Sequence, residues 1–414
     1  MEVRKDARGK GKANVQVGGR WMHFIDLSAQ QKRIRSSIEK RIGRVLDHGQ
    51  YIMGPELAEL EDTLAFYVGV KHALACSSGT DALMLSLMAH EVGPGDAIFT
   101  TPFTFMATAE AIALVGATPI FLDIDSKTMN LDPAHLERAW NALELQDPTV
   151  YPLPRNMDLQ ALHPKGIMAV DLFGITADYD LILQFAKPRN LFVVEDGAQS
   201  LGATYHSKMA CSLGHVGCTS FFPAKPLGAY GDGGMCFTDD HALHEKLVSL
   251  RVHGQGRNKY ENERLGLNAR MDTLQAAIVL AKLEIFEEEL GLRRKVAETY
   301  QELLSHLEEV LSLPLFPPWG RSAWAQYSIL ARDESARSRF LRSLARENIP
   351  TAIYYPTPLH LQKAFGYLGY GEGDFPHSED HAKRIFSLPM HPYLERWDQE
   401  KIVLSLTRGA SELP

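Results

Sequence analysis

From Ser28 onward apolar residues recur at helical spacing. Ile34, Ile38, Ile42 and Val45 share one face, and His48-Gly49-Gln50 ends the stripe. A Gly54-Pro55 pair opens a second helix carried by Leu57, Leu60 and Leu64. The pattern then turns to short apolar runs separated by helical stretches. His72 to Cys76, Ala97 to Thr101, Pro119 to Ile124, Ile167 to Leu172 and Leu191 to Asp196 read as buried strands. Ser77-Ser78-Gly79-Thr80 reads as a polar turn and Asp81 to Ala89 as a helix. Strands that are apolar throughout and alternate with helices predict a mainly parallel sheet covered on both faces, an α/β architecture.

Two stretches depart from this rhythm. Residues 141–166 contain Pro148, Pro152, Pro154 and Pro164 and read as an irregular surface insertion. From Asp272 a long helical stretch runs into the 300s. A smaller α+β segment follows, with loops such as Tyr354-Tyr355-Pro356 and Leu388-Pro389-Met390-His391-Pro392. The change of pattern places a domain boundary near residue 275. A large domain is expected over 22–275 and a small C-terminal one over 276–414.

Composition narrows the class. A 414-residue chain with 45% hydrophobic and 23% charged residues has the balance of a folded two-domain protein, not of a disordered or fibrous one. Its net charge of −8 is a poor match for a polyanion, so nucleic acid is not an expected partner. No apolar run reaches the roughly 18 residues of a membrane helix, so no membrane insertion is expected. Residues 1–21 carry six basic and two acidic side chains and no apolar h-region. They read as a disordered basic leader and not as a secretory signal. Cys76, Cys211, Cys218 and Cys236 form no CxxC pair and fit no zinc template with the histidines, so no metal is expected. Scattered thiols in a long chain suit a reduced, cytoplasmic protein.

Three segments could carry chemistry. Ser78-Gly79-Thr80, between a strand and a helix, could present backbone N–H groups to an anion; a plain helix cap at Thr80 is the alternative. In Val193-Val194-Glu195-Asp196-Gly197-Ala198-Gln199, Asp196 ends a parallel strand and faces the crevice where α/β proteins bind ligands. Its carboxylate could hold a proton on a heteroaromatic nitrogen, or merely cap a helix, and Gln199 lies one helical turn further on. The third segment, Thr219 to Gly228, sets Lys225 between prolines after two aromatics and runs into Gly231-Asp232-Gly233-Gly234. Partial burial lowers a lysine pKa, and a neutral amine forms Schiff bases. Ser220 could bind phosphate. Phe105, past a strand end, could stack on a flat ring or pack in the core. A nicotinamide oxidoreductase would need GxGxxG after the first strand, where the chain has Ser78-Gly79-Thr80.

The motifs GTDAL, TPFTF, EDGAQSLGA, TSFFPAKPLGAYGDGG and GLNARMDTLQAAI occur in this order, and over residues 22–409 the chain resembles the DegT/DnrJ/EryC1/StrS family. The likeness is greatest to its branch acting on UDP-2-acetamido-3-keto-glucuronate, through FIDL, HGQYIMGPE, KLEIFEEE and SLPMHPYL. The resemblance implies a fold type I pyridoxal 5′-phosphate (PLP) enzyme with a seven-stranded sheet. Its implied activity is an aminotransferase that makes 3-amino sugars from UDP-linked 3-keto sugars with L-glutamate, for lipopolysaccharide precursors. A 4-keto-sugar enzyme and a non-catalytic regulatory relative are the alternatives. The resemblance also assigns roles. Lys225 would carry PLP as a Schiff base and move protons. Asp196 would pair with the pyridine nitrogen, Gln199 would bond the ring hydroxyl, and Phe105 would stack on the ring. Gly79, Thr80 and Ser220 would hold the phosphate. Asn268 and Arg270 would come from the second subunit of a homodimer with shared active sites. Arg270, Tyr354 and Tyr355 would contact the nucleotide-sugar. Apart from the resemblance, the negative substrate phosphates need nearby cations, for which Arg270 and Arg251 are candidates. The branch tends to carry His-Tyr where this chain has Tyr354-Tyr355, and the 141–166 stretch is longer than the branch suggests. Relatives with His in place of the lysine perform dehydration; Lys225 points away from that outcome.

Overall fold

The computed structural model describes residues 16–17 and 20–411. The expected disordered leader therefore lies mostly outside the described residues; within it, Gln16–Val17 pairs antiparallel with Arg20–Trp21. The strands of the main sheet are β1 (His72–Cys76), β2 (Asp96–Thr100), β3 (Thr118–Phe121), β4 (His163–Val170), β5 (Phe192–Asp196), β6 (Val216–Ser220) and β7 (Gly234–Thr238). Their spatial order is β1-β7-β6-β5-β4-β2-β3. All neighbours run parallel except β7, which is antiparallel to both β1 and β6. The strands are buried almost end to end, as the unbroken apolar runs require.

Helices cover both faces. α1 (Leu27–His48) is capped by Asp26, whose side chain accepts from the Ala29 N–H, and it stops at Gly49 in the left-handed region with φ 68°. Ile34 and Ile38 pack on Ile278 and Ala281 of a later helix, so the stripe read from the sequence is a buried seam. α2 (Pro55–Val68) starts at its proline. α3 (Gly79–Ala89) begins two residues earlier than the sequence pattern suggests. Its cap is Ser78, not Thr80: the Ser78 hydroxyl oxygen accepts from the Asp81 N–H at 3.0 Å. α4 (Met106–Leu114), α5 (Ala134–Leu145), α6 (Tyr179–Ala186) and α7 (His241–Arg251) complete the coverage.

The proline-rich stretch differs from the loose insertion expected at 141–166. α5 runs on to Leu145 and β4 already begins at His163, including Pro164 in its first residues. Between them Tyr151 and Leu153 are buried in the same apolar cluster as Phe121 and Ile167. The Tyr151 hydroxyl also accepts from the Asp123 N–H at 3.0 Å. Proline density alone cannot distinguish a solvated loop from one fastened by an aromatic anchor.

The long C-terminal helix is two helices, α8 (Thr273–Leu283) and α9 (Phe286–Leu304). α8 and the start of α9, through Phe286 and Leu290, share a core with Leu57, Leu60 and Phe237. From Val296 on, α9 belongs to a second core with Tyr327, Phe340 and Phe386. That core holds the three-stranded antiparallel sheet β8 (Leu311–Ser312), β9 (Tyr327–Ala331) and β10 (Ile385–Leu388). α10 (Glu334–Arg346) and α11 (Arg396–Ser411) pack on it. The handover between cores thus falls inside α9. Leu359, Phe365, Leu368 and Phe375 return to a further cluster on the main sheet, beside Phe121 and Tyr151. Among the described residues no helix is long and apolar enough to cross a membrane.

Candidate active site

At the carboxyl edge of the parallel strands a cavity of about 590 Å³ opens between the main sheet and the C-terminal segment. This is the place where an open α/β sheet leaves a crevice between strand ends and the loops that follow. Lys225, Asp196, Gly79, Thr80, Phe105, Gln199, Ser220, Tyr354 and Tyr355 all line it. Asn268 and Arg270 do not. Asn268 is exposed in a segment that bridges to Val252, and Arg270 has a buried Nε without a hydrogen-bond partner among the described residues.

One wall is the N-terminus of α3. The first N–H groups of a helix have no intrahelical acceptor and favour an anion. Register brings Ser220 to them: Ser220 pairs with Gly234, and Gly234 pairs with Cys76, two residues before the helix cap. A Cβ on Gly79 would stand 2.7 Å from the Ser220 Cβ, so only glycine lets helix and strand end approach this closely. The result is a cradle of backbone amides and one hydroxyl, donors suited to an anion such as phosphate.

Asp196 ends β5 and is buried. The Thr108 hydroxyl donates to its Oδ2 at 2.7 Å and the Ala198 N–H to its Oδ1 at 3.3 Å. Burial raises its pKa, and these two donors and the charge of Lys225 work against the rise. Lys225 sits in the loop joining β6 to β7. Desolvation pulls its pKa down to about 8, opposed by the charge of Asp196. It forms no ion pair among the described residues, so its amine is not neutralised by a fixed carboxylate. An amine that loses its proton near neutrality is suited to attack a carbonyl.

Gln199 is less free than the sequence suggests. Its Oε1 accepts from the Phe173 N–H at 2.7 Å and its Nε2 donates to the Tyr355 hydroxyl at 3.3 Å, leaving one amide hydrogen for a ligand. The Phe105 side of the cavity is open: the residue is 58% exposed and its ring lies 6.3 Å from that of Tyr355. A flat ligand ring would fit against it.

Arg251 is corrected as a substrate candidate. It is 3% exposed; its Nη1 donates to Glu61 and, at 2.8 Å, to the Ala75 carbonyl. The guanidinium is committed to tying α7 to α2 and β1. Among the polar cavity residues, Thr104, Thr108 and Gln326 were given no role by the sequence. Thr104 and Thr108 were legible in principle, since a spacing of four places them on one side of a helix start. Gln326, whose Oε1 is buried without a partner among the described residues, carries no local signature.

A lysine amine, a buried carboxylate and an amide-lined phosphate cradle in one crevice of a type I sheet define a PLP-dependent enzyme, and the residues fit that cofactor. The chain belongs to the DegT/DnrJ/EryC1/StrS aminotransferase family, whose model matches residues 32–407. It is 45% identical over 387 residues to the UDP-2-acetamido-2-deoxy-3-oxo-D-glucuronate aminotransferase of Pseudomonas aeruginosa, covering 93% of this chain and 99% of that one. It is 38% identical to the UDP-N-acetyl-3-dehydro-alpha-D-glucosamine 3-aminotransferase of Acidithiobacillus ferrooxidans, covering 93% and 97%. The crystal structure of a DegT DnrJ EryC1 StrS aminotransferase from Brucella abortus superposes with a TM-score of 0.87 at 45% identity, covering 95% of this chain and all of that one.

Proposed function

We propose that this aminotransferase converts the keto group at C3 of a UDP-linked 2-acetamido-3-keto sugar to an amine, with L-glutamate as donor. The observation that carries the reading is the pairing of Lys225, its pKa pulled down to about 8, with buried Asp196 in one cavity. When bound, PLP supplies an electron sink for the pair left as a C–H bond beside nitrogen breaks. Asp196 holds the proton on the ring nitrogen that makes this sink effective. Lys225 would hold the cofactor through its amine, and the same amine would move the proton as base and then acid. The α3 amides and Ser220 would hold the phosphate, Phe105 would cover the ring, and Gln199 would offer its remaining amide hydrogen. Glutamate leaves as its 2-oxo acid, taking its new carbonyl oxygen from water, and the sugar's keto oxygen leaves as water, so the two halves balance.

Both named relatives act, by their names, on 2-acetamido-3-keto sugars. The higher identity to the glucuronate enzyme favours the C6 carboxylate form. Asn268 and Arg270, which lie outside their own chain's cavity, would complete that of a second subunit, Arg270 facing the sugar or its carboxylate. Tyr354 and Tyr355 contact the nucleotide-sugar. The reading places the enzyme in the cytoplasm as a homodimer supplying lipopolysaccharide precursors.

Purified protein is expected to be yellow and to lose its visible absorbance with borohydride, with Lys225→Ala abolishing trapping. Assays with glutamate and each of the two C6 forms should favour the carboxylate in an Arg270-dependent way. A colourless protein that refuses PLP would sink the proposal.

A further inference from the structure

Residues 104–108 link β2 to the first turn of α4, and two of their side chains run inward to Asp196. Thr104 and Thr108 are 2% and 1% exposed. Their hydroxyl oxygens are 3.0 Å apart, and that of Thr108 is 2.7 Å from Asp196 Oδ2. An ionised carboxylate only accepts, so Thr108 must give its single proton to Asp196. The donor in the threonine pair is then Thr104, and the direction of the chain is fixed: Thr104 to Thr108 to Asp196. The opposite oxygen, Oδ1, has among the described residues only the longer bond from the Ala198 N–H at 3.3 Å.

Resting on the PLP reading above, we propose that Thr108, oriented by Thr104, is a positioning residue that keeps Asp196 ionised and aimed at the ring nitrogen of the cofactor. The physical reason is the imbalance of donors. A buried carboxylate needs hydrogen bonds to hold its charge. Without Thr108, Asp196 would keep one long bond and would compete with the ring for the proton. The same five residues contain Phe105, so the stacking ring and the acid's donor are carried by one short segment.

The test uses the full-length holoenzyme with 15N-labelled PLP and the variants Thr108→Val, Thr108→Ser and Thr104→Val. Valine keeps the shape and removes the hydroxyl. Thr108→Val is expected to weaken PLP retention about tenfold, the loss of one hydrogen bond to a charged group. The ring-nitrogen signal should move toward its unprotonated position, and kcat should fall with the sugar KM unchanged. Thr108→Ser should restore all three; Thr104→Val should shift them less, in the same direction. A Thr108→Val protein with wild-type nitrogen signal and PLP affinity would overturn the inference and leave the aminotransferase reading intact. A wild type that binds no PLP would overturn both.

Discussion

Glu195 and Asp196 are adjacent in β5 and project to opposite faces of the sheet. Asp196 lines the cavity, while Glu195 is sealed against Asp171, with its two oxygens accepting from the Cys211 N–H and, at 2.8 Å, the Leu213 N–H. Asp171 is held in turn by the Ser200 hydroxyl at 2.8 Å, the Tyr179 hydroxyl at 3.1 Å and the Ala177 N–H at 2.9 Å. Burial, and then the charge of Asp171, push the Glu195 pKa well above the carboxylate range, so the pair shares one proton.

This sets the sign of a pH effect. A carboxyl whose pKa is raised by folding gives its full stability below the unfolded value and loses it as pH rises toward the folded value. Glu195→Gln cannot titrate, but it replaces one accepting oxygen with a donor. It should unfold about 1–3 kcal/mol more easily at pH 4, the cost of an unsatisfied buried group. Its deficit should shrink as pH rises to 8. Urea unfolding of both proteins across that range checks this; a constant gap would mean that Glu195 ionises normally.

Gly79→Ala should fold yet bind PLP at least about tenfold more weakly, because overpacking the 2.7 Å approach to Ser220 costs about 1–3 kcal/mol and widens the phosphate cradle. Gly291→Ala is the control. That residue lies within α9 with nothing within 4 Å of its would-be Cβ, so alanine should stabilise the protein by about 0.5–1 kcal/mol. Equal PLP affinities for Gly79→Ala and wild type would remove the cradle from the argument.

The lowered pKa of Lys225 predicts how apoprotein takes up PLP. The charged amine is penalised by burial, so the reactive neutral form fills in as pH rises through about 8. The rate of recovery of visible absorbance should climb to that pH and then flatten. A rate still rising steeply above pH 9 would place the amine near its ordinary pKa.

Arg251→Ala should cost about 3 kcal/mol, since it leaves Glu61 and the Ala75 carbonyl without their buried donor. It should not change the sugar KM of the protein that remains folded. A raised KM at unchanged stability would return Arg251 to the substrate site.

Much of the site was readable because its residues sit at strand ends in fixed order: Asp196 closes an apolar run, and Lys225 stands between prolines. What escaped depends on contacts between distant segments. No local pattern shows that Arg251 reaches Glu61 or that Tyr151 fastens a proline-rich stretch. The break between α8 and α9 was hidden because Glu284 and Ile285 fit a helical stripe as well as a joint. Gln326 becomes a cavity residue only because the residue before β9 is brought to the strand ends of the main sheet.

The return of Leu359, Phe365, Leu368 and Phe375 to the cluster of Phe121 and Tyr151 on the main sheet bears on how the chain is made. A nascent chain that has just finished α9 still lacks the side chains that cover Phe121 and Tyr151. The larger unit therefore cannot close during synthesis until Phe375 has left the ribosome, after most of the second core has already emerged. Separate expression of either half would leave an apolar surface bare, and proteolytic nicking within 305–358 should yield two pieces that stay together until denatured.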